Sequence, residues 1–343
     1  MEERNSHPLL ALAAVGLGVY AAARFAVRRA RRIDFRERVV VITGGSRGLG
    51  LLLARRFGAE GAKLVIAARD EEELRRAEHD LRRRGAADVR VVPCNIRLKN
   101  DVESLIRSAV ESFGTVDVLV NNAGVIAVGP AELMTERDYD EEMEVHFWGP
   151  LHAIQAALPL MRAAGGGRIV NITSIGGKIG VPHLAPYCAS KFALVGLSEA
   201  LTTELRQDNI YVTTVAPGLI RTGSPRNALF KGQNRREYTW FALGDSLPGI
   251  SQSADRAADR IISACRYGEP QLITSLPAAL AARFHALMPW VSIEIASMTN
   301  HLILPAAGGI GTSRAKGYES ETAVTQSPLT ALTRKAARRN NET

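Results

Sequence analysis

The central part of the chain alternates short apolar runs with helical patterns, and this limits its fold more than any other feature. The predicted strands are Val39–Thr43, Lys63–Ala68, Val89–Cys94, Val116–Asn121, Arg168–Thr173, Ile210–Val215 and Leu272–Thr274. The predicted helices are Leu49–Glu60, Glu71–Arg84, Val102–Phe113, Glu136–Ala164 with an interruption near Gly149-Pro150, Ala185–Arg206 and Ala254–Tyr267. Uninterrupted apolar runs are typical of strands buried on both faces. The pattern predicts an α/β fold: a Rossmann-type doubly wound parallel sheet of about seven strands, with helices on both faces.

The charge distribution argues against a nucleic-acid-binding protein. The net charge of +8 is concentrated at the two ends of the chain, with +4 in residues 1–38 and +3 in residues 314–343. Residues 39–313 carry only +1, so the body offers no strongly basic face to a phosphate backbone. Three cysteines, Cys94, Cys188 and Cys265, form no CxxC pair. They predict a reducing compartment, with neither a disulfide scaffold nor a metal site.

The N-terminal region contains a 19-residue apolar run, Leu9–Val27, interrupted by Arg24 alone. Such a run is just long enough to cross a bilayer as a helix. Four arginines between residues 28 and 32 follow it, so the positive-inside rule predicts a membrane anchor with the body of the chain on the cytoplasmic side. The alternatives are a signal peptide cleaved at Ala21-Ala22-Ala23 and a soluble amphipathic leader.

Four regions follow from these patterns. Residues 1–36 are the predicted anchor with its basic flank, and residues 37–275 are the α/β domain. Residues 276–313 form an amphipathic extension, in which apolar residues recur every three or four positions and Pro289 breaks the pattern. Its apolar stripe would lie on the membrane, on the chain's own core or on a second copy in a homo-oligomer. Residues 314–343 lack periodicity and are predicted to be a disordered basic tail.

A glycine-rich loop joins the first predicted strand to the first helix of the body. It reads Thr43-Gly44-Gly45-Ser46-Arg47-Gly48-Leu49-Gly50. Glycines at such a junction permit a tight turn, bring the bare backbone close to a pyrophosphate, and let the helix pack closely on the strand. The helix N-terminus then faces the phosphates. The predicted dinucleotide contacts in this loop are Thr43, Gly44, Ser46, Arg47, Gly48, Leu49 and Gly50.

The T-G-x-x-x-G-x-G spacing resembles the short-chain dehydrogenase/reductase family, and the resemblance extends over about residues 37–275. The further matching motifs are Asn121-Asn122-Ala123-Gly124, Ser174 at the end of the fifth strand, Tyr187-x-x-x-Lys191, and Pro217-Gly218 with Thr222 nearby. They occur in the family's order and spacing. The resemblance implies hydride transfer between a nicotinamide and a carbonyl or alcohol. It also implies cofactor contacts by Asn122, Ala123, Gly124, Tyr187, Lys191, Pro217, Gly218 and Thr222.

Three residues are predicted to carry the chemistry. Tyr187 and Lys191 lie four positions apart on a predicted helix, so their side chains share one face. An adjacent ammonium group favours the phenolate and lowers the pKa of Tyr187, which suits it as the acid/base. Ser174 would hydrogen-bond the reacting oxygen. The resemblance further implies that Lys191 holds the ribose hydroxyls of the nicotinamide.

Two positions depart from the family pattern. His146 stands where the family has an asparagine that holds a water in a proton relay to the lysine. A neutral imidazole both donates and accepts, so His146 either takes over the relay or is a structural replacement. Asn95 stands where the family has an aspartate near the adenine; its amide keeps a hydrogen-bond acceptor.

Basic residues near the glycine loop favour NADP over NAD. Arg47 lies within the loop and Arg69 follows the second strand, and arginine suits recognition of the 2′-phosphate. The competing signal is Asp70, which lies 20 residues beyond Gly50 and could bind the ribose of NAD.

These observations predict an NADP-dependent oxidoreductase that interconverts a carbonyl and an alcohol. The predicted anchor and the aromatic residues within 219–255, which include Tyr238, Trp240 and Phe241, favour a small lipophilic substrate. The alternatives are a non-catalytic NADP-binding sensor or scaffold and a 3-oxoacyl thioester reductase.

Overall fold

The structure, a computed structural model, describes residues 7–342. The central strands are β1 (Val39–Thr43), β2 (Lys63–Ala68), β3 (Val89–Pro93), β4 (Val118–Asn121), β5 (Gly167–Ile172), β6 (Ile210–Ala216) and β7 (Gln271–Ile273). The helices are α1 (His7–Arg31), α2 (Gly48–Ala59), α3 (Glu71–Arg83), α4 (Lys99–Phe113), α5 (Glu136–Met143), α6 (Gly149–Ala163), α7 (Ala185–Glu204), α8 (Asn234–Ser246), α9 (Ala254–Arg266), α10 (Leu276–Leu287), α11 (Pro289–Leu302) and α12 (Ala331–Arg339).

The seven strands form one parallel sheet in the order β7-β6-β5-β4-β1-β2-β3. Within it, Val41 of β1 pairs with Val65 of β2 on one side and with Leu119 of β4 on the other. Every residue of β1 is buried, because helices cover both faces: α2 and α9 pack on one, α4 and α6 on the other. The predicted Rossmann-type fold is confirmed. The chain order reverses between β1 and β4, and such a switch point opens a crevice at the carboxyl ends of the strands.

The long helix predicted over Glu136–Ala164 is divided by a single π-helical turn, Glu144–Trp148, which carries His146. The break therefore comes before Gly149-Pro150 and not at it. Pro150 lies in the first turn of α6, where a missing N–H costs no hydrogen bond. π-turns widen a helix locally and occur at functional sites.

The predicted membrane-spanning anchor is not supported by the structure. Over residues 7–342, none of the helices is at once long and apolar enough to span a bilayer.

The amphipathic extension forms two helices, α10 and α11, with the break at Met288 and Pro289. Ala278 is the buried residue of α10, and α11 has none. Large apolar side chains are exposed instead, among them Leu287 (83% exposed) and Trp290 (73%). Docking of this stripe on the chain's own core, one of the three expectations, is therefore not observed.

The predicted disorder of the tail is wrong for residues 314–342. Ala315–Lys316 pairs with Leu229–Phe230 as an antiparallel strand, and α12 follows. Hydrogen bonds to the body explain this order: Asn234 Nδ2 donates to Ser320 Oγ over 2.8 Å, and Ser246 Oγ lies 2.8 Å from Thr333 Oγ1. Buried polar side chains that are hydrogen-bonded can hold a segment in place. The tail is therefore ordered although its apolar residues show no periodic pattern.

Candidate active site

The glycine loop has a backbone that side chains would disrupt. Gly44 and Gly48 have φ angles of +65° and +55°, which favour glycine. A Cβ on Gly44 would lie 2.8 Å from the Cα of Ala123, and one on Gly50 would collide with the carbonyl oxygen of Gly44. The bare backbone and the N-terminus of α2 thus form a surface that fits the phosphates of a dinucleotide.

The Asn121–Gly124 motif braces this loop from β4. Asn122 Nδ2 donates to the carbonyl oxygens of Thr43 and Gly44, both over 3.0 Å. Thr43 Oγ1 accepts from the backbone N–H groups of Asn122 (3.0 Å) and Ala123 (3.1 Å). Gly124 lies against the ring of His146. The structure therefore brings together the two motifs at the switch point.

The end of the described chain lies on the same loop. The N–H of Gly48 donates to the carbonyl oxygen of Asn340 over 2.9 Å, and Asn341 Nδ2 donates to the carbonyl oxygen of Ser46 over 2.9 Å. Glu342 is buried between Gly48 and Gly223. Sequence reasoning missed these contacts.

Ser174, Tyr187 and Lys191 converge at the carboxyl end of β5. Ser174 Oγ accepts from the N–H of Gly176 over 3.0 Å, and the Tyr187 ring packs on Gly176, where an added Cβ would lie 3.2 Å from Cε1. Lys191 Nζ donates to the carbonyl oxygen of Ile172 over 3.0 Å and lies 5.6 Å from the centre of the Tyr187 ring. The three predicted catalytic side chains thus share one site.

The electrostatics differ from the predicted lowering of the Tyr187 pKa by Lys191. Burial raises the pKa of Tyr187 above its ordinary value, although a hydrogen bond with Ser174 opposes this. Burial also lowers the pKa of Lys191 to about 8, opposed by the charge of Glu142. Burial of the phenol is thus the dominant cause, and Lys191 Nζ donates to a backbone carbonyl and not to the phenol.

His146 is fully engaged by protein atoms. Its Nε2 accepts from the N–H of Val125 over 3.2 Å, and its Nδ1 lies 2.8 Å from Ser190 Oγ. Because Ser190 Oγ itself donates to the carbonyl oxygen of Tyr187 over 2.9 Å, Nδ1 carries the ring proton. Burial holds the pKa of His146 well below its ordinary value, so the ring is neutral. This geometry favours the structural alternative over the relay.

A buried carboxyl group, Glu142, lies beside His146. Its Oε1 accepts from the N–H of Ala127 over 2.7 Å, while Oε2 lies 3.2 Å from His146 Nδ1 and has no hydrogen-bond partner among the described residues. Burial raises the pKa of Glu142 to about 8. The sequence signal for this pair is the spacing of four between Glu142 and His146, which places both side chains on one helix face.

The residues predicted to decide between NADP and NAD lie around the carboxyl end of β2. Arg47 Nη1 is 2.8 Å from Glu73 Oε1, and Arg69 is exposed. Asp70 caps α3, since it accepts from the N–H of Glu73 over 2.8 Å. That hydrogen bond lowers the pKa of Asp70. Asp70, which in the sequence was the signal for NAD, thus has a structural role as the cap of α3.

The remaining predicted contacts lie at the same edge of the sheet. Asn95 Oδ1 accepts from the N–H of Arg97 over 3.3 Å. The carbonyl oxygen of Pro217 accepts from Ile175 N–H over 2.7 Å, and Thr222 Oγ1 accepts from Ser224 N–H over 3.1 Å. The Pro217-Gly218 segment is therefore tied to the loop that carries Ser174.

Comparison with known proteins identifies the family to which the chain is similar. The family model for the short chain dehydrogenase matches residues 38–230. A Streptomyces coelicolor protein named as a candidate ketoacyl reductase is 41% identical over 187 residues, which is 54% of this chain and 71% of that protein.

Solved structures of short-chain dehydrogenases and reductases are similar to this chain in fold. L-sorbose reductase from Gluconobacter frateurii, complexed with NADPH and L-sorbose, has a TM-score of 0.63 and 25% identity and covers 71% of this chain and 98% of its own. A Burkholderia phymatum short chain dehydrogenase/reductase in complex with NAD has a TM-score of 0.68 and 26% identity, covering 76% and 96%. The chain belongs to the short-chain dehydrogenase family.

Proposed function

We propose that this oxidoreductase is NADP-dependent and interconverts a carbonyl and an alcohol on a lipophilic substrate. The observation that carries the proposal is the convergence of Ser174, Tyr187 and Lys191 at the carboxyl end of β5, beside the braced glycine loop. A dinucleotide-binding scaffold without chemistry would need neither the phenol nor the buried amine.

Each of the three side chains has a distinct role in the proposed reaction. A bound nicotinamide supplies or accepts the hydride. Tyr187 gives its proton to the carbonyl oxygen during reduction and takes it back during oxidation. Ser174 donates a hydrogen bond to the same oxygen and stabilises its developing charge. Lys191, whose Nζ lies 5.6 Å from the centre of the Tyr187 ring, would hold the ribose hydroxyls of a bound nicotinamide.

An apolar cluster next to Tyr187 supports the lipophilic substrate. Phe230, Tyr238 and Phe241 pack together with Leu184, and the ring of Tyr187 lies against this cluster. Tyr238 and Phe241 belong to α8, within the predicted aromatic segment. The cluster gives Tyr187 an apolar surrounding, and small-molecule sites are predominantly apolar with a few polar groups.

The experiment is NADPH oxidation against matched series of ketones, aldehydes and 3-oxoacyl thioesters of increasing chain length. We expect kcat/KM to rise with chain length for ketones. A 3-oxoacyl thioester reductase is the second candidate, supported by the name of the Streptomyces coelicolor relative, and preferential turnover of thioesters would favour it. Dinucleotide binding without turnover of any series would instead favour the sensor or scaffold.

Preference for NADP is tested by replacing both basic residues of the cofactor region. In the Arg47→Ala/Arg69→Ala variant we expect the Kd for NADPH to rise roughly thirtyfold, because charged hydrogen bonds to phosphate contribute about 2 kcal/mol. The Kd for NADH should stay within about threefold. Calorimetric titration measures both constants.

Arg75→Ala is the matched control for this variant. Arg75 lies on α3 with 64% of its side chain exposed, and its removal should leave both constants unchanged. Wild-type protein that binds NADH more tightly than NADPH would contradict the NADP proposal and leave the reaction type intact.

A further inference from the structure

A buried carboxylate lies behind the proposed catalytic pair. Glu142 is 1% exposed; its Oε1 accepts from Ala127 N–H, and its Oε2 lies 3.2 Å from Nδ1 of the neutral His146 ring without a hydrogen-bond partner among the described residues. His146 in turn packs edge-on against the Tyr187 ring, with the ring centres 5.5 Å apart. Burying an ionised carboxyl group costs free energy unless an opposite charge compensates it. The charged groups around Glu142 therefore indicate what its carboxyl group does.

The titratable and charged groups that face Glu142 come from its own helix, the π-turn and α7. They are Asp138, Glu141, His146, Tyr187, Cys188 and Lys191. His146 is neutral, and Asp138 is neutralised by Lys231 and Arg314. Lys191 is the positively charged member of this set, and its pKa responds to Glu142.

We propose that Glu142 is a positioning residue of the hydride-transfer site: its carboxylate, when ionised, is the interior counter-charge of Lys191, and the His146 ring lies between it and Tyr187. The inference rests on the proposed function. Glu142 does not touch the reacting atoms; it acts through the protonation of Lys191 and Tyr187. A negative charge raises the pKa of nearby cationic and phenolic groups alike.

The test is the pH dependence of kcat for alcohol oxidation in Glu142→Gln. The substitution removes the charge and keeps an oxygen for Ala127 N–H. Removing a negative charge lowers the pKa of both Tyr187 and Lys191, so the rising and falling limbs should both move to lower pH by at least about half a pH unit. Glu142→Met, which is apolar and of similar length, should shift the profile in the same direction if the first variant fails to fold.

Glu144→Gln is the matched control, because Glu144 lies in the adjacent π-turn, is 39% exposed and pairs with Arg97. Its profile should coincide with that of the wild type. A wild-type profile in a folded Glu142 variant, or a shift to higher pH, would overturn the inference. Absence of turnover in the wild-type protein would instead count against the proposed function.

A second inference comes from the chain's own tail, which covers the glycine loop. Arg55 donates to the Asn340 side chain and to the carbonyl oxygen of Arg339, both over 3.1 Å. Asn341 links the carbonyl oxygens of Ser46 and Glu73 over 2.9 and 3.1 Å. These bonds fix the tail at the N-terminus of α2.

Glu342 places a carboxyl group at the position expected for a phosphate. The residue is 8% exposed, its Oε1 lies against Gly48 at the helix start, and its Oε2 has no hydrogen-bond partner among residues 7–342. A helix N-terminus attracts phosphates and carboxylates alike, although burial raises the pKa of Glu342 to about 8. The loop fits a dinucleotide, but not while Glu342 occupies this place.

We infer that residues 331–342 are a displaceable cover of the dinucleotide site, and that binding of the tail and of the dinucleotide exclude each other. The free energy of docking the tail then reduces the apparent dinucleotide affinity. Because the cover and the dinucleotide site belong to the same chain, the reduction in dinucleotide affinity is independent of protein concentration.

Hydrogen exchange and Ala337→Gln test this second inference. Ala337 is 0% exposed and packs against Gly223, so a larger side chain should release the tail without adding charge. Ala331→Gln, the same change at an exposed position of α12, is the control. We expect faster exchange over residues 331–342 in Ala337→Gln and at least about threefold tighter NADPH binding, with wild-type behaviour in Ala331→Gln.

Addition of NADPH to the wild-type chain should also speed exchange over residues 331–342. Unchanged or slower exchange in the wild-type complex would overturn the inference, as would unchanged NADPH affinity in Ala337→Gln with the tail released. Failure of every variant to bind a dinucleotide would contradict the proposed function instead.

Discussion

Replacing Tyr187 with phenylalanine should lower kcat by about a thousandfold in both directions while the dinucleotide Kd stays within about threefold. The phenol is the proton donor for the carbonyl oxygen, and positioned acid/base groups contribute about 10²–10⁴ in rate. The ring that packs on Gly176 remains, so the site keeps its shape. Steady-state kinetics and a binding titration measure the two quantities separately.

Tyr139→Phe is the control for this variant, because Tyr139 lies on α5 and is 37% exposed. It should behave as the wild type in both measurements. A Tyr187→Phe enzyme that kept a tenth or more of its activity would show that another group transfers the proton.

Gly50→Ala should have the largest effect on the dinucleotide site. An added Cβ would collide with the carbonyl oxygen of Gly44 and with the Asn122 side chain, and both are fixed by hydrogen bonds. We expect the free energy of unfolding to fall by about 1–3 kcal/mol, as for overpacked cores. We also expect the Kd for NADPH to rise at least about tenfold, because the displaced loop carries the phosphate contacts. Thermal unfolding and calorimetry measure the changes.

Gly196→Ala is the matched control within α7. A Cβ there would meet no atom within 4 Å, so alanine should stabilise the helix by up to about 1 kcal/mol. Gly50→Ala with a wild-type melting temperature and NADPH affinity would contradict the description of the loop.

The sheet was predictable because each buried strand is a short apolar run in the sequence, which can be recognised without knowing its partners. Val39–Thr43 and Lys63–Ala68 are apolar runs and become β1 and β2 with the predicted bounds. The glycine loop and Tyr187-x-x-x-Lys191 were likewise visible, since their chemistry fixes residue type and spacing. The edges of other strands differ by one or two residues, where hydrogen bonding decides where the strand ends.

Features that depend on distant partners could not be predicted in this way. Asn341 bonds to Ser46, 295 positions away, and nothing in the polar tail indicates that contact. Glu142 lies in the charged sequence ERDYDEEM, which by itself suggests a solvated helix. Only the packing of α5 on α7 buries its carboxyl group, next to the His146 ring.

The most direct test of the central claim follows the hydride itself. Wild-type enzyme is incubated with a lipophilic ketone and NADPH in which deuterium replaces both hydrogens at C4 of the nicotinamide, and the alcohol is examined by mass spectrometry. We predict one deuterium on the carbinol carbon, with its formation suppressed about a thousandfold in Tyr187→Phe. Alcohol without deuterium at that carbon, or equal formation by Tyr187→Phe, would contradict the account.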